Sequence, residues 1–542
     1  PRIAVLMPVF NPNPQWLQEA IDSVREQLYP HWQLCIADDC STDPQVGELL
    51  KAAAKSDQRI QVVFREQNGH ISVASNTALE LVEAPWVALL DHDDRLAEDA
   101  LAWVARSIIE EPKLRMIFSD EDKIDENGLR RDPFFKCDWN PILMEGQNAV
   151  CHLGVYSTEL MREVGGFRVG YEGAQDHDLT LRCSRRLTRD QILHLPRILY
   201  HWRLHAGSTA IGAEAKPYSC GSAQHVVADH LRSLDQAAAR VACTAAGLQP
   251  NFALPVDPPR VSVIIPTRNG LAVLEPCLRS LLDQTNYPNL EVLVVDNGSD
   301  DPATLDFLAE LEKAGLIRVL RDAIPFNYSA LNNRAVEQAS GEFVCLMNND
   351  IEVIQPDWLA QMLAYGQRSG VGAVGARLLY PDRSIQHGGV LLGIGGVAGH
   401  AHHGLAHDDF GYYCRAQLAQ EMSAVTAACL LVRRSHYLAV GGLNAEKLRV
   451  AFNDIDFCLK LIELGLYNVY AATAVLVHHE SVSRGFEDTP EKQERFAAEV
   501  AWMKERWGNR LIADPAYNPN LSLDGAPFSL ASPPRLQRWP SA

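Results

Sequence analysis

The sequence predicts an α/β protein of two tandem domains, each built on a mostly parallel sheet with helices on its faces, joined by a helical connector. Three observations predict it. Apolar runs of strand character alternate with stretches of helical period along both halves. The strands end in clusters of acids and amides, of which Val87-Ala88-Leu89-Leu90-Asp91-His92-Asp93-Asp94 is the sharpest. The order of landmarks then recurs some 257 to 278 residues later, which marks a duplication.

In the first half, Arg2 to Val9 reads as a strand closed by Pro8-Val9-Phe10-Asn11-Pro12, and Trp16 to Gln27 has helical period. Gln33 to Ala37 is a second strand, ending in Asp38-Asp39-Cys40-Ser41-Thr42-Asp43. Val46 to Lys55 is a helix that Asp43 can cap, Ile60 to Phe64 a third strand, Ser72 to Val82 a helix and Trp86 to Leu90 the next strand. Met116 to Ser119 is a strand whose following acids, Asp120-Glu121-Asp122, read as a solvated turn. Gly165-Gly166-Phe167 precedes Gln175-Asp176-His177-Asp178-Leu179, where acids open a helix, and Tyr200-His201-Trp202-Arg203-Leu204-His205 groups two histidines with an arginine.

The second half repeats this order. Arg260 to Pro266 echoes Arg2 to Pro8, and Asn297 stands where the first half has Asp39. Asn333 matches Asn76, Asp350 in Met347-Asn348-Asn349-Asp350 matches Asp93, Gly442 matches Gly166, Asp454 matches Asp176 and His478 matches His205. The domains are expected at 1–215 and 258–512, with a helical connector and proline-rich linker at 216–257 and a C-terminal tail at 513–542 packed on the surface or disordered. A glycine- and histidine-rich insertion near His387 to Gly404 reads as a mobile flap, with a metal cluster as the alternative.

Composition narrows the function. The 49 basic and 68 acidic residues leave a net charge of −19, which argues against nucleic acid as a partner. No apolar run reaches the roughly 18 residues that span a bilayer, and the start of the chain lacks the pattern of a signal peptide. The twelve cysteines form no CxxC pair or regular framework, which suits reduced thiols in a cytoplasmic protein and leaves peripheral contact with the inner membrane open. No GxGxxG follows the first strand, so a dinucleotide site is not expected.

Three acids within four residues at the end of a buried strand call for a divalent cation with a phosphate ligand. Asp38 and Asp39 lie where a carboxylate could accept from a pyrimidine imide. Asp176, at a helix N-terminus whose dipole favours the ionised form, is a candidate general base.

The ordered set Pro-x-x-Asn, Asp-Asp-x-Ser, Asp-x-Asp-Asp, Gly-Gly-Phe, Gln-Asp-x-Asp-Leu and a late histidine resembles the family 2 inverting glycosyltransferases, whose GT-A fold is Rossmann-like. Ser119-Asp120-Glu121-Asp122-Lys123, Tyr200-His201-Trp202-Arg203 and His479-Glu480-Ser481-Val482-Ser483-Arg484-Gly485 look like tandem bacterial enzymes of rhamnan and O-antigen synthesis. The resemblance implies a metal-dependent hexosyltransferase, bifunctional in the sense of one site per half, with Mg²⁺ or Mn²⁺ as cofactor. The metal ligands would be Asp93 and His205 in the first half and Asp350 and His478 in the second, with Asp176 and Asp454 as bases. The nucleotide-sugar would lie against Pro8, Asn11, Asp38, Asp39 and Asp91, and against Pro266, Asn269, Asp296, Asn297, Asn348 and Asn349. The implied donor is dTDP-rhamnose, with a UDP-sugar as alternative, and the acceptor a growing, lipid-linked saccharide near the inner membrane or its export machinery. Two rivals remain open: one catalytic half beside an acceptor-binding half, or a non-catalytic carbohydrate-binding scaffold.

Overall fold

Residues 1–205, 217–234, 238–480 and 489–536 are described in a computed structural model of the chain. They form two compact units. One comprises Pro1–Trp139, Gln147–Pro250 and the chain end from Arg535; the other comprises Asn140–Gly146 and Asn251–Pro534.

The first unit contains β1 (Ile3–Val9), β2 (Trp32–Asp38), β3 (Ile60–Phe64), β4 (Trp86–Leu89), β5 (Arg95–Leu96), β6 (Met116–Ile124), β7 (Arg130–Phe134), β8 (Gly154–Ser157) and β9 (Ile192–Arg203). The sheet order is β3-β2-β1-β4-β8-β6-β9-β5, with β7 on β6. β1 pairs parallel with β2 and β4, and β6 with β9, while β8 runs antiparallel between β4 and β6. Every residue of β1 and β2 is buried, because helices cover both faces of a parallel sheet. The helix Pro14–Arg25 starts with proline in its first turn, and the Asn13 side chain accepts from the Gln15 N–H; it buries Leu17, Ala20, Ile21 and Val24. Asp43 caps the helix Pro44–Ser56, as expected.

The connector departs from expectation. The helix Pro217–Ser233 is followed by a hairpin of β10 (Ala238–Thr244) and β11 (Gly247–Phe252), where the connector ahead of the proline-rich linker was expected to be helical. Along β11 Leu248 and Pro250 are buried between more exposed neighbours, the period of two that strands require. Cys220 and Cys243 form a disulfide, which corrects the expectation of twelve free thiols.

The second unit repeats the first sheet with β12 (Val261–Thr267), β13 (Leu290–Asp296), β14 (Arg318–Arg321), β15 (Phe343–Met347), β16 (Ile351–Val353) and β17 (Val371–Leu379). Then come β18 (Ile385–His387), β19 (Val390–Leu392), β20 (Ala398–His400), β21 (Gln420–Met422), β22 (Cys429–Arg433) and β23 (Tyr467–His478). Its order is β14-β13-β12-β15-β22-β17-β23-β16, strand for strand that of the first unit. Both units therefore have a mixed α/β architecture with parallel-rich sheets. Along β12 the side chains alternate between two cores: Val263 and Ile265 pack with Phe343 and Trp358, while Ile264 packs with Leu346, Val390 and Trp507.

Residues 140–146 belong to this second core. Ile142 lies in its apolar cluster. The Asn140 amide both accepts from the Glu421 N–H and donates to the Glu421 carbonyl, each at 3.0 Å. Glu145, 3 % exposed, accepts two hydrogen bonds from Arg368, 6 % exposed.

The expected flap is a packed hairpin. In β19–β20, Val390, Leu391, Leu392 and Val397 are buried, and the Leu392 N–H donates to the buried Asp514 carboxylate at 2.7 Å. Gly393 is there for close approach, since a Cβ on it would sit 2.4 Å from the Leu511 carbonyl oxygen. In the tail, Tyr517 and Leu521 are buried.

The double glycines are structural. Gly166 and Gly442 have φ of 66° and 65°, and a Cβ on either would meet the Oδ1 of Asn76 or Asn333 at 2.4 Å. Each asparagine makes two hydrogen bonds to the residue after the glycine pair: Asn76 to the Phe167 backbone and Asn333 to the Leu443 backbone.

Candidate active site

The acid turn after β4 rests on a buried scaffold. Asp94, 1 % exposed, accepts from the Tyr200 hydroxyl at 2.6 Å and from the Arg203 N–H at 2.7 Å. Burial, reinforced by the charges of Asp93 and Asp91, pushes the Asp94 pKa well up. The Tyr200 oxygen also accepts from the Asp91 N–H. Arg203, fully buried, donates to the Asp93 carbonyl and to Glu19. One tyrosine and one arginine thus fix the turn and offset its charge.

Asp93 and His205 are brought together, Oδ2 to Nε2 at 2.8 Å, with Trp16 against the imidazole. Burial works to raise the Asp93 pKa, but the charge on His92 and the hydrogen bond and charge of His205 outweigh it, and the carboxyl is held low. Asp91 is pushed up by burial, with His152 opposing and the charges of Asp93 and Asp176 adding to the rise. Asp176 and the acid turn therefore share one electrostatic field. Asp176 sits in the first turn of the helix Gln175–Ser184 and accepts from the Asn148 amide at 2.6 Å.

Ligand atoms of Asp91, Asp94 and His152 lie within 4.8 Å of one another, close enough for one cation. Both Asp94 oxygens already accept hydrogen bonds, from Tyr200 and from the Arg203 N–H.

In the second unit Asp350 and His478 are brought together, Oδ1 to Nε2 at 3.1 Å. They stand at facing ends of β16 and β23, where Ile351 is registered against His478. Asp350 Oδ1 is buried and has no hydrogen-bond donor. An orphaned carboxylate oxygen facing an imidazole nitrogen fits a bound cation. Asp454, in the first turn of the helix Asn453–Glu463, accepts from the Ala427 N–H at 3.1 Å. His387 and His400 meet through their Nδ1 atoms at 2.8 Å, both buried enough that their pKa values fall.

At the other strand ends, Asn11 and Asn269 hold turns. The side-chain oxygen of Asn11 accepts from the Thr42 N–H, and that of Asn269 from the Asp300 and Asp301 N–H groups. Asp39, 2 % exposed, pairs with Arg65 and accepts from the Gly69 N–H. Asn297 instead donates to the Asp322 and Ile324 carbonyls. Asp38 and Asp296 each accept from the N–H of the serine three residues on, and Asp296 also pairs with Arg321. Pro8 accepts from or faces His92 through its carbonyl at 3.2 Å, and Asn349 donates to Thr267, next to Pro266. Asn348 places its amide nitrogen 3.3 Å from His478 Nε2.

Comparison with known proteins follows the same duplication. The glycosyl transferase family 2 model matches twice, over residues 4–163 and 262–438. The chain belongs to glycosyl transferase family 2.

This family 2 chain is 51 % identical over 541 residues to the uncharacterised protein y4gI of Sinorhizobium fredii, covering 99 % of the chain and 59 % of that protein. It is 35 % identical over 541 residues to the O-antigen biosynthesis protein RfbC of Myxococcus xanthus, covering 98 % of the chain and 41 % of that protein. The chain thus spans about half the length of these relatives. Among solved structures, the mannosyltransferase PcManGT of Pyrobaculum calidifontis, in complex with GDP-Man and Mn²⁺, is 20 % identical over 49 % of the chain and 69 % of its own, with a TM-score of 0.36.

The acids after Phe118 correct the sequence reading. They lie within β6, buried, each with a partner: Asp120 with His194 and the Lys136 N–H, Asp122 with His201 and Arg130, Glu121 with Lys136. Lys136, 1 % exposed, also donates to the Val150 and His152 carbonyls and so holds the loop that carries Asn148. Asn148, His152, Lys136 and Gln386 were not anticipated. The partners that fix them in the site lie 14 to 94 residues away, beyond the reach of local patterning. Gly207-Ser208 and Ser481 to Gly485 lie outside the described residues.

Proposed function

We propose that the chain is an inverting polysaccharide glycosyltransferase with one active site in each unit. The observation that carries this reading is the repeated constellation of a carboxylate–imidazole pair at a strand end and a carboxylate in the first turn of a helix. The similarity to an O-antigen biosynthesis protein supports a surface polysaccharide as product.

Asp93 with His205, and Asp350 with His478, would hold Mg²⁺ or Mn²⁺. Bound there, a divalent cation would offset the negative charge of the departing nucleoside diphosphate. Asp176 or Asp454 takes the proton of the acceptor hydroxyl as its oxygen bonds to the anomeric carbon. The bond from that carbon to the diphosphate breaks on the opposite face, so configuration inverts. Asn148 holds the Asp176 carboxylate in place through one oxygen and leaves the other to accept the proton. A deoxyhexose donor such as dTDP-rhamnose is proposed first, a UDP-sugar second, with the acceptor lipid-linked at the inner face of the plasma membrane. Among the described residues no helix is long and apolar enough to cross a membrane.

The test is a donor panel with Mn²⁺, Mg²⁺ or chelator, read as nucleotide release and product linkage for D176N and D454N separately. Each substitution should abolish one linkage and spare the other. If D454N changes no product, the second unit is an acceptor-binding module; if transfer survives chelation, the roles given to Asp93 and Asp350 are wrong.

A further inference from the structure

His478 has a fixed orientation as well as a partner. Its Nδ1 lies 2.7 Å from Gln386 Oε1. Which end of the Gln386 amide faces the ring is decided by Glu480. Gln386 Nε2 lies 2.8 Å from Glu480 Oε2, and a carboxylate accepts but does not donate. The amide nitrogen must therefore face Glu480, and the oxygen must face His478. Tyr380 steadies the carboxylate, its hydroxyl donating to the same Oε2 at 2.9 Å.

An amide oxygen can only accept, so Nδ1 carries the ring proton and, in the neutral ring, Nε2 carries a lone pair. Asn348 agrees independently, since its amide nitrogen is 3.3 Å from Nε2. The same nitrogen lies 3.1 Å from Asp350 Oδ1, a buried oxygen that no hydrogen bond satisfies. Two acceptors face each other across a gap that a cation would close.

We infer that Gln386, oriented by Glu480, is a positioning residue that locks His478 in the tautomer able to bind the divalent cation at the second site. This deepens the reading of Asp350 and His478 as cation ligands and rests on it. Gln386 is 4 % exposed, His478 6 % and Asp350 5 %, so these three groups meet away from water, with only Glu480 reaching the surface. Partners of this kind on a ligating histidine affect metal affinity about 10–100-fold.

The experiment titrates Mn²⁺ into the full chain by calorimetry and electron paramagnetic resonance, in a D93N background that reports the second site. Adding D350N should abolish the remaining binding; if it does not, the cation reading itself fails. Q386L should weaken Mn²⁺ about 10–100-fold. E480Q, which changes an exposed side chain and keeps the fold, frees the amide to turn and should weaken it less. The exchange Q386E/E480Q restores the order, because glutamine at 480 can donate to glutamate at 386, which accepts from Nδ1. It should return affinity to within a few-fold of the D93N chain, which a merely structural role for Gln386 does not predict. If D350N abolishes binding while E480Q and Q386L leave it unchanged, or if the exchange rescues nothing, the inference is overturned and the cation reading stands.

Discussion

Substituting Lys136 by methionine tests the scaffold behind the first site. Methionine keeps the length and apolar bulk of the lysine stem, so the change isolates the charge. The ammonium is 1 % exposed and lies 2.9 Å from Glu121, whose side chain is 7 % exposed. It also donates to the Val150 carbonyl at 2.6 Å and to that of His152. Removing one partner of such a pair leaves an uncompensated buried carboxylate, at about 3–5 kcal/mol. The Glu121 carboxylate keeps the His152 N–H as a donor, which places the cost toward the lower end of that range. The loss should fall on the first unit, because both partners and both carbonyls lie there. Native-state amide hydrogen exchange reads it locally: protection of β6 and β9 should drop while β17 and β23 keep theirs. Adding E121Q removes the stranded charge, and the double variant should recover about 2 kcal/mol relative to K136M. Transfer by the first site should fall with K136M, because the loop carrying Asn148 loses its anchor, while the second site continues. Unchanged protection of β6 in K136M, or a double variant no better than the single, would refute this account.

Other predictions concern the same scaffolds. Burial lowers the His194 pKa, but the charge and hydrogen bond of Asp120, helped by Asp138, raise it to about 9. The stability His194 adds is thus complete below its ordinary value of 6.5 and is lost as pH rises through about 9. The thermal stability gap between the parent chain and H194Q should shrink from pH 6 to pH 10, and a constant gap would count against the pairing. G166A and G442A should each destabilise their own unit by about 1–3 kcal/mol, from the left-handed backbone and the encounter with Asn76 or Asn333; chemical denaturation followed by hydrogen exchange distinguishes the units. Y200F removes one donor from Asp94 and the acceptor of the Asp91 N–H, and should cost about 1–3 kcal/mol with reduced first-site transfer. Wild-type unfolding together with wild-type turnover would show that Tyr200 does not hold the acid turn.

Much of the frame was legible in the sequence because it depends on local pattern. The alternation of apolar runs with helical periods is local, and so are the cap at Asp43 and the acids of Asp91 to Asp94. Order along the chain did the rest: matching His205 to His478 and Asp176 to Asp454 rested on sequence spacing, and in each unit the histidine lies against the expected carboxylate. What stayed hidden was compensation at a distance. Asp120, Glu121 and Asp122 looked like a solvated turn because three acids in a row need three partners, and those partners are His194, Lys136 and His201. Glycines misled in the opposite direction. Near Gly393 they suggested a hinge, yet the glycine is there because another backbone passes too close for a side chain. The hairpin after Ser233 was missed because Val241, Leu248 and Phe252 are too few and too widely spaced among small and polar residues to show a period.

The excursion of residues 140–146 bears on how these halves can be inherited. Two copies born of a duplication could in principle be shuffled between relatives as cassettes, cut at the linker near residue 258. Here seven residues encoded in the first half furnish the interior of the second unit, with Ile142 in its core and Glu145 on Arg368. A crossover at the linker would unite one lineage's Asn140, Ile142 and Glu145 with another's Arg368 and Glu421. Exchange is then tolerated only between halves that have kept these partners in step, and a chimera meant to swap second sites must carry 140–146 along with the downstream half.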